Sequence, residues 1–108
     1  MKLMPKELAD KIPALYATEN LGDDAIVHAK FFTPWTFWTW YVLEFDGSDK
    51  CFGLVSGYEV ELGYWLVSEL EAITHDSGLT IERDLFFEPT TLGKIREDLK
   101  WQYPTLPL

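Results

Sequence analysis

The sequence predicts an α+β fold: an antiparallel sheet of four to five strands in meander order, with two or three short helices packed on it. Three observations carry that expectation. From Ile26 onward, segments rich in β-branched and aromatic residues alternate with tight-turn residues, Asp46-Gly47-Ser48-Asp49 and Ser56-Gly57. Thr36 to Phe45 is apolar in both of its alternation sets, as in a central strand covered on both faces. Helix signals lie outside this block, near both ends of the chain and after Trp65.

Leu3 to Tyr16 reads as a short helix, because Leu8, Ile12 and Leu15 recur on one face and Pro5 suits a first turn. Pro13 should kink or end it, since proline removes a backbone donor. Thr18 to Asp24 is a polar loop containing Gly22. Ile26 to Phe32 is a first strand, and Thr33-Pro34 closes it. In the next strand Phe37, Tyr41, Leu43 and Phe45 form one set, and Trp38, Trp40 and Val42 the other. Lys50 to Val55 follows, then Tyr58 to Trp65, where Tyr58, Val60, Leu62 and Tyr64 alternate with Glu59, Glu61, Gly63 and Trp65. Ser68-Glu69-Leu70-Glu71 matches a capping box, which starts a short helix to about His75. Leu79 to Phe87 has the composition of a fifth strand. Thr91 to Leu99 is a last helix, and an irregular tail runs from about residue 100.

The 108 residues make one domain, 1–108, and a chain of this size buries enough surface for one core. Cys51 is the only cysteine, which rules out an intrachain disulfide and suits a reducing compartment. The start of the chain has no apolar core of a signal peptide, and no segment reaches the roughly 20 apolar residues of a membrane helix. The expectation is a cytoplasmic protein without a membrane partner.

Charge is the most informative feature. Of a net charge of −9, eight units fall between Phe31 and Glu82, where nine carboxylates meet a single cation, Lys50. Such a field repels nucleic-acid phosphates and attracts basic surfaces. Glu59 and Glu61, two apart on one strand, would project from one face about 6.6 to 6.8 Å from each other. Two axial repeats of a nucleic-acid strand, at about 3.4 Å per phosphate, give the same distance. With Glu44, Asp46 and Asp49 one hairpin away and Trp65 on the same strand set, these residues form the candidate partner-binding surface. A solvated outer sheet face is the ordinary alternative. The aromatic run Phe31 to Tyr41 suits core packing, or an exposed patch for a protein partner.

Chemistry finds little support. His28, His75 and Cys51 lack zinc-site spacing, and Asp46 to Asp49 lacks the ligand series of a calcium loop. Cys51 beside Lys50 could be activated, yet a lone strand cysteine behaves as a small hydrophobe. No nucleophile elbow or phosphate loop is present. His28 reads as structural, and Arg83 between Glu82 and Asp84 as a local salt bridge. No cofactor or metal is expected, and no catalytic residue stands out.

Several blocks in fixed order carry a resemblance from about Leu3 to Leu92. They include Leu3-Met4-Pro5, Ile12-Pro13-Ala14-Leu15-Tyr16, Lys30-Phe31-Phe32-Thr33-Pro34 and Trp38-Thr39-Trp40-Tyr41. Glu44-Phe45-Asp46-Gly47, Phe52-Gly53-Leu54-Val55, Glu61-Leu62-Gly63-Tyr64, Glu69-Leu70 and Ile81-Glu82-Arg83-Asp84 continue them. The chain thereby resembles a family of small bacterial proteins known only as a domain of unknown function. The resemblance implies a cytosolic protein of plasmids, phages and conjugative elements, sometimes encoded near antirestriction genes. It transfers no catalytic residue. The expected function is a non-enzymatic acidic interaction module of a mobile element, an antirestriction or anti-CRISPR type of counter-defence inhibitor that mimics nucleic-acid charge. Its partner would be a protein with a basic surface, such as a nucleic-acid-targeting host enzyme, with no direct nucleic-acid contact. The alternatives are a structural or regulatory subunit, including a homodimer, that binds through an aromatic surface, and then a carboxylate-dependent enzyme.

Overall fold

A computed structural model describes residues 1–102, with side chains through Lys100. The elements are α1 (Lys6–Ala9), a 3-10 turn (Gly22–Asp24), β1 (Ile26–Val27), β2 (Ala29–Phe32), β3 (Thr39–Phe45), β4 (Lys50–Ser56) and β5 (Val60–Leu66). Then come α2 (Val67–Glu71), β6 (Glu82–Arg83), β7 (Thr90–Thr91) and α3 (Leu92–Gln102). Strands β2 to β5 form the expected meander, and β6 pairs on the far side of β2. The sheet order is β5-β4-β3-β2-β6 with every pair antiparallel. A second, two-stranded sheet joins β1 to β7. The architecture is α+β.

The strand expected over Ile26 to Phe32 is broken at His28, whose N–H donates to the Val42 carbonyl at 2.9 Å. In one continuous strand Val27 and Ala29 would share a face. Here Val27 is buried with Leu54 and Leu92, while Ala29 is buried with Phe31 and Trp40 on the opposite side of the sheet. The break lets the chain serve both cores.

β3 lies at the centre of the sheet, and from Trp40 to Phe45 every residue is buried. On one face Trp40, Val42 and Phe45 pack with Leu3, Met4 and Ile12 from the N-terminal segment and with Leu70 of α2. On the other, Tyr41 and Leu43 pack with Leu54 and with Leu92, Ile95 and Leu99 of α3. Phe45 departs from the simple alternation, which put it with Tyr41 and Leu43. A β-bulge between Val42 and Glu44 inserts one residue into the register with β4 and reverses the facing beyond it.

The N-terminal helix is shorter than its periodicity suggests. Four residues are helical, and the backbone then passes through turns to Tyr16, which has a φ of 72°. Pro13 cannot donate a helical hydrogen bond; its carbonyl instead accepts from Phe45 N–H at 2.9 Å. The capping box does not form either. α2 starts two residues earlier than a Ser68 cap requires, at Val67, and Asp49 caps it from the β3–β4 turn, accepting at 2.8 Å from the Ser68 N–H. Glu71 turns away to accept from the Leu3 N–H at 2.8 Å, which pins the N-terminal segment to α2. The expected fifth strand contracts to two residues. α3 continues through Trp101 and Gln102, where the tail was expected to begin; the rest of that tail lies outside the described residues.

Candidate functional site

The six residues singled out by charge and pattern do not form one surface. Glu44 is 1% exposed. The bulge in β3 turns it towards the 16–18 loop, where its carboxylate accepts from the N–H groups of Tyr16 at 2.8 Å and Thr18 at 3.0 Å, and from the Thr18 hydroxyl. It is an internal clamp, not a partner contact. Trp65 is also buried, opposite Cys51 on β4 and packed in the core with Phe45. Its alternation with Glu61 holds along β5, while Glu59 falls in the turn before the strand; the sheet face that is open at Glu61 is covered by α2 and the N-terminal segment at Trp65.

Asp46 and Asp49 are accessible but committed locally. One Asp46 oxygen accepts from the N–H groups of Ser48, Asp49 and Lys50 at 2.8, 2.8 and 3.0 Å. Those bonds, the Ser48 and Asp49 amides foremost, hold its carboxyl below the usual range. They fold the turn around Gly47, whose φ of 85° suits glycine. Asp49 bonds both the amide and the hydroxyl of Ser68. The imagined carboxylate row therefore dissolves into a clamp, a turn and a helix cap.

Glu59 and Glu61 remain exposed, with no hydrogen bond or ion pair from either carboxylate to a described residue. Glu61 lies on β5 opposite Val55, and β5 is an edge strand with no partner on its outer side among the described residues. Glu59 sits in the turn just before β5, its carbonyl accepting from Gly57 N–H at 2.9 Å.

Beside them stands an aromatic corner that joins Tyr58 to Phe37 and Trp38 of the aromatic run, which pattern reading had as core packing or an exposed patch. Tyr58 is 80% exposed, and its ring meets Phe37 at 5.7 Å and Trp38 at 5.6 Å, both edge-on. Trp38 in turn lies 6.0 Å from Trp40, so the corner is anchored in the core. Gly57 makes this packing possible: a Cβ there would come within 2.5 Å of the Trp38 ring. On the other side of the 33–38 loop, Phe32, Thr36, Phe37, Trp38 and Phe86 line a cleft of about 490 Å³. Phe86 is 93% exposed. For Tyr58 a signal existed in the sequence, since it follows a turn glycine; Phe86 fell inside the expected strand Leu79 to Phe87, and the contraction of that strand to Glu82–Arg83 leaves it outside.

Cys51 is fully buried, and desolvation, with the charges of Asp46 and Asp49, pushes its thiol up to about 12. Burial pulls the His28 imidazole below its ordinary value. Among the described residues no three His, Cys, Asp or Glu side chains gather as a metal site, and no helix is long and apolar enough to cross a membrane. What the β5 edge offers is charge and aromatic area: two free carboxylates beside an exposed, anchored ring cluster.

Comparison with known proteins adds one match. Residues 3–95 match a family model described as "Protein of unknown function (DUF2958)". No curated protein and no solved structure matches the chain.

Proposed function

The chain belongs to the DUF2958 family, and on that premise we propose that it is a non-enzymatic interaction module whose acidic β5 edge engages a basic protein surface. The observation that carries this is the freedom of Glu59 and Glu61: they stay unpaired, Glu61 on an edge strand and Glu59 in the turn before it, while Glu44, Asp46 and Asp49 are consumed by the fold. An unpaired carboxylate next to exposed aromatic rings suits Lys and Arg, which combine ion pairing with stacking over a ring. The net charge of −9 adds long-range steering towards a cationic partner. Within this reading, the mobile-element setting implied by the family resemblance makes the basic nucleic-acid groove of a host defence enzyme the partner class to test first. Such a protein would act in the cytoplasm as a counter-defence inhibitor.

A second reading rests on Tyr58, Phe37 and Phe86, whose exposure fits a subunit contact of ordinary apolar character. The two separate by charge reversal. Affinity capture from the native host, compared between the wild type and Glu59→Lys with Glu61→Lys, should lose its partner in the double variant. A partner retained there and lost on Tyr58→Ala would favour the apolar contact.

A further inference from the structure

Arg83 was expected to pair with its neighbours Glu82 and Asp84, and it does not. Asp84 instead accepts from Phe86 N–H at 2.9 Å and lies 3.9 Å from Lys30. The Arg83 guanidinium makes no hydrogen bond or ion pair with any described residue, and its Nε is sealed from solvent. The terminal nitrogens of the guanidinium are also without a partner but open to solvent, so an acceptor entering from solvent meets those and not the sealed Nε. In a chain with 18 carboxylates, an arginine left without one is unexpected.

The register explains where this side chain goes. Arg83 pairs with Phe31, so it takes the sheet face that packs against α1. There it lines a cleft of about 180 Å³ with Lys11, His28 and Asp84, rimmed by Leu8 and Phe87. Lys11 is exposed and has no ion pair. The Asp84 carboxylate is already engaged by Lys30 and the Phe86 amide.

We propose that this cleft binds a small carboxylate, seated on the Arg83 guanidinium with Lys11 as the second cation and Leu8 and Phe87 against its apolar body. A planar guanidinium fork matches the two oxygens of a carboxylate. A phosphate dianion fits less well, since the only permanent cations on the cleft are Arg83 and Lys11 in a strongly acidic protein. The volume admits a short-chain acid or the last residue of a peptide. This site is independent of the β5 edge.

The test is NMR titration of the full chain, following the Arg83 Nε–Hε signal and the amides of Asp84 and Phe87. Butyrate should shift all three saturably, while butyramide and sodium chloride at equal ionic strength should not. Acetyl-glycyl-leucine run beside butyrate distinguishes a peptide C-terminus from a free acid by which binds more tightly. Arg83→Lys keeps the charge but loses the fork, and should weaken binding about tenfold. Should that variant misfold, Lys11→Gln at an exposed position should still weaken butyrate binding several-fold. An absence of saturable shifts with butyrate, equal shifts with butyramide or chloride, or inorganic phosphate binding more tightly than butyrate would each overturn the proposal. So would unchanged affinity in both variants.

Discussion

The Glu44 carboxylate, buried beside the β3 bulge, holds the backbone N–H of Tyr16 at 2.8 Å where Tyr16 adopts a left-handed φ of 72°. A non-glycine residue in that region is strained, and it persists where its surroundings fix it. A carboxylate expected on the partner surface in fact organises the 16–18 loop. Removing it leaves two amides and the Thr18 hydroxyl without their acceptor. Glu44→Ala should therefore cost about 2 to 4 kcal/mol of stability, measured by denaturant unfolding. A cost below about 1 kcal/mol would show that water replaces the carboxylate.

Gly57 and Trp38 make a second testable contact. A methyl group at residue 57 would lie 2.5 Å from the ring, so Trp38 must move. Gly57→Ala should destabilise by about 1 to 3 kcal/mol and change the near-ultraviolet circular dichroism of the aromatic corner. Intact stability and an unaltered spectrum would mean that the ring does not rest on this glycine.

Acid sensitivity should locate in the β3–β4 turn. The Asp46 carboxyl is held below its ordinary value by backbone amides, so its folded pKa lies under its unfolded one. The stabilisation is then fully present above about pH 4 and is lost as pH falls through the folded pKa. Asp46→Asn should flatten the stability profile in that acid window, with little change in slope near neutrality. An identical acid profile in the variant would remove Asp46 from the account.

Nucleic acid should not bind. The net charge of −9 opposes phosphate contact over the whole molecule. A gel-shift assay at physiological salt should show no complex with DNA or RNA; one that forms and weakens with added salt would contradict this.

Much of the sheet was legible because strand signals are local. The turn at Asp46 to Asp49, the apolar run Trp40 to Leu43 of β3 and the α3 helix follow from spacing and residue type. The bulge could not be read, since it depends on Glu44 finding donors some 26 to 28 residues away in sequence. Nor could the cap of α2, where Ser68 is served by Asp49 rather than by Glu71. Composition gives the carboxylates' places along the chain. Only tertiary contacts decide which carboxylates the fold consumes, and the same contacts bury Trp65 while leaving Tyr58 exposed.

The most direct test of the central claim is the association rate of the captured partner as a function of salt. It should be compared among the wild type, Glu59→Lys with Glu61→Lys, and a control reversing the exposed Glu88 and Glu97 elsewhere. The account predicts that the β5 double variant, folded by circular dichroism, binds more slowly and more weakly than the control. The difference should shrink as salt rises, because exposed charges are screened beyond about 8 Å at physiological ionic strength. Equal rates for the wild type and the β5 variant, or an equal loss in the control, would contradict the assignment of the partner surface to the β5 edge.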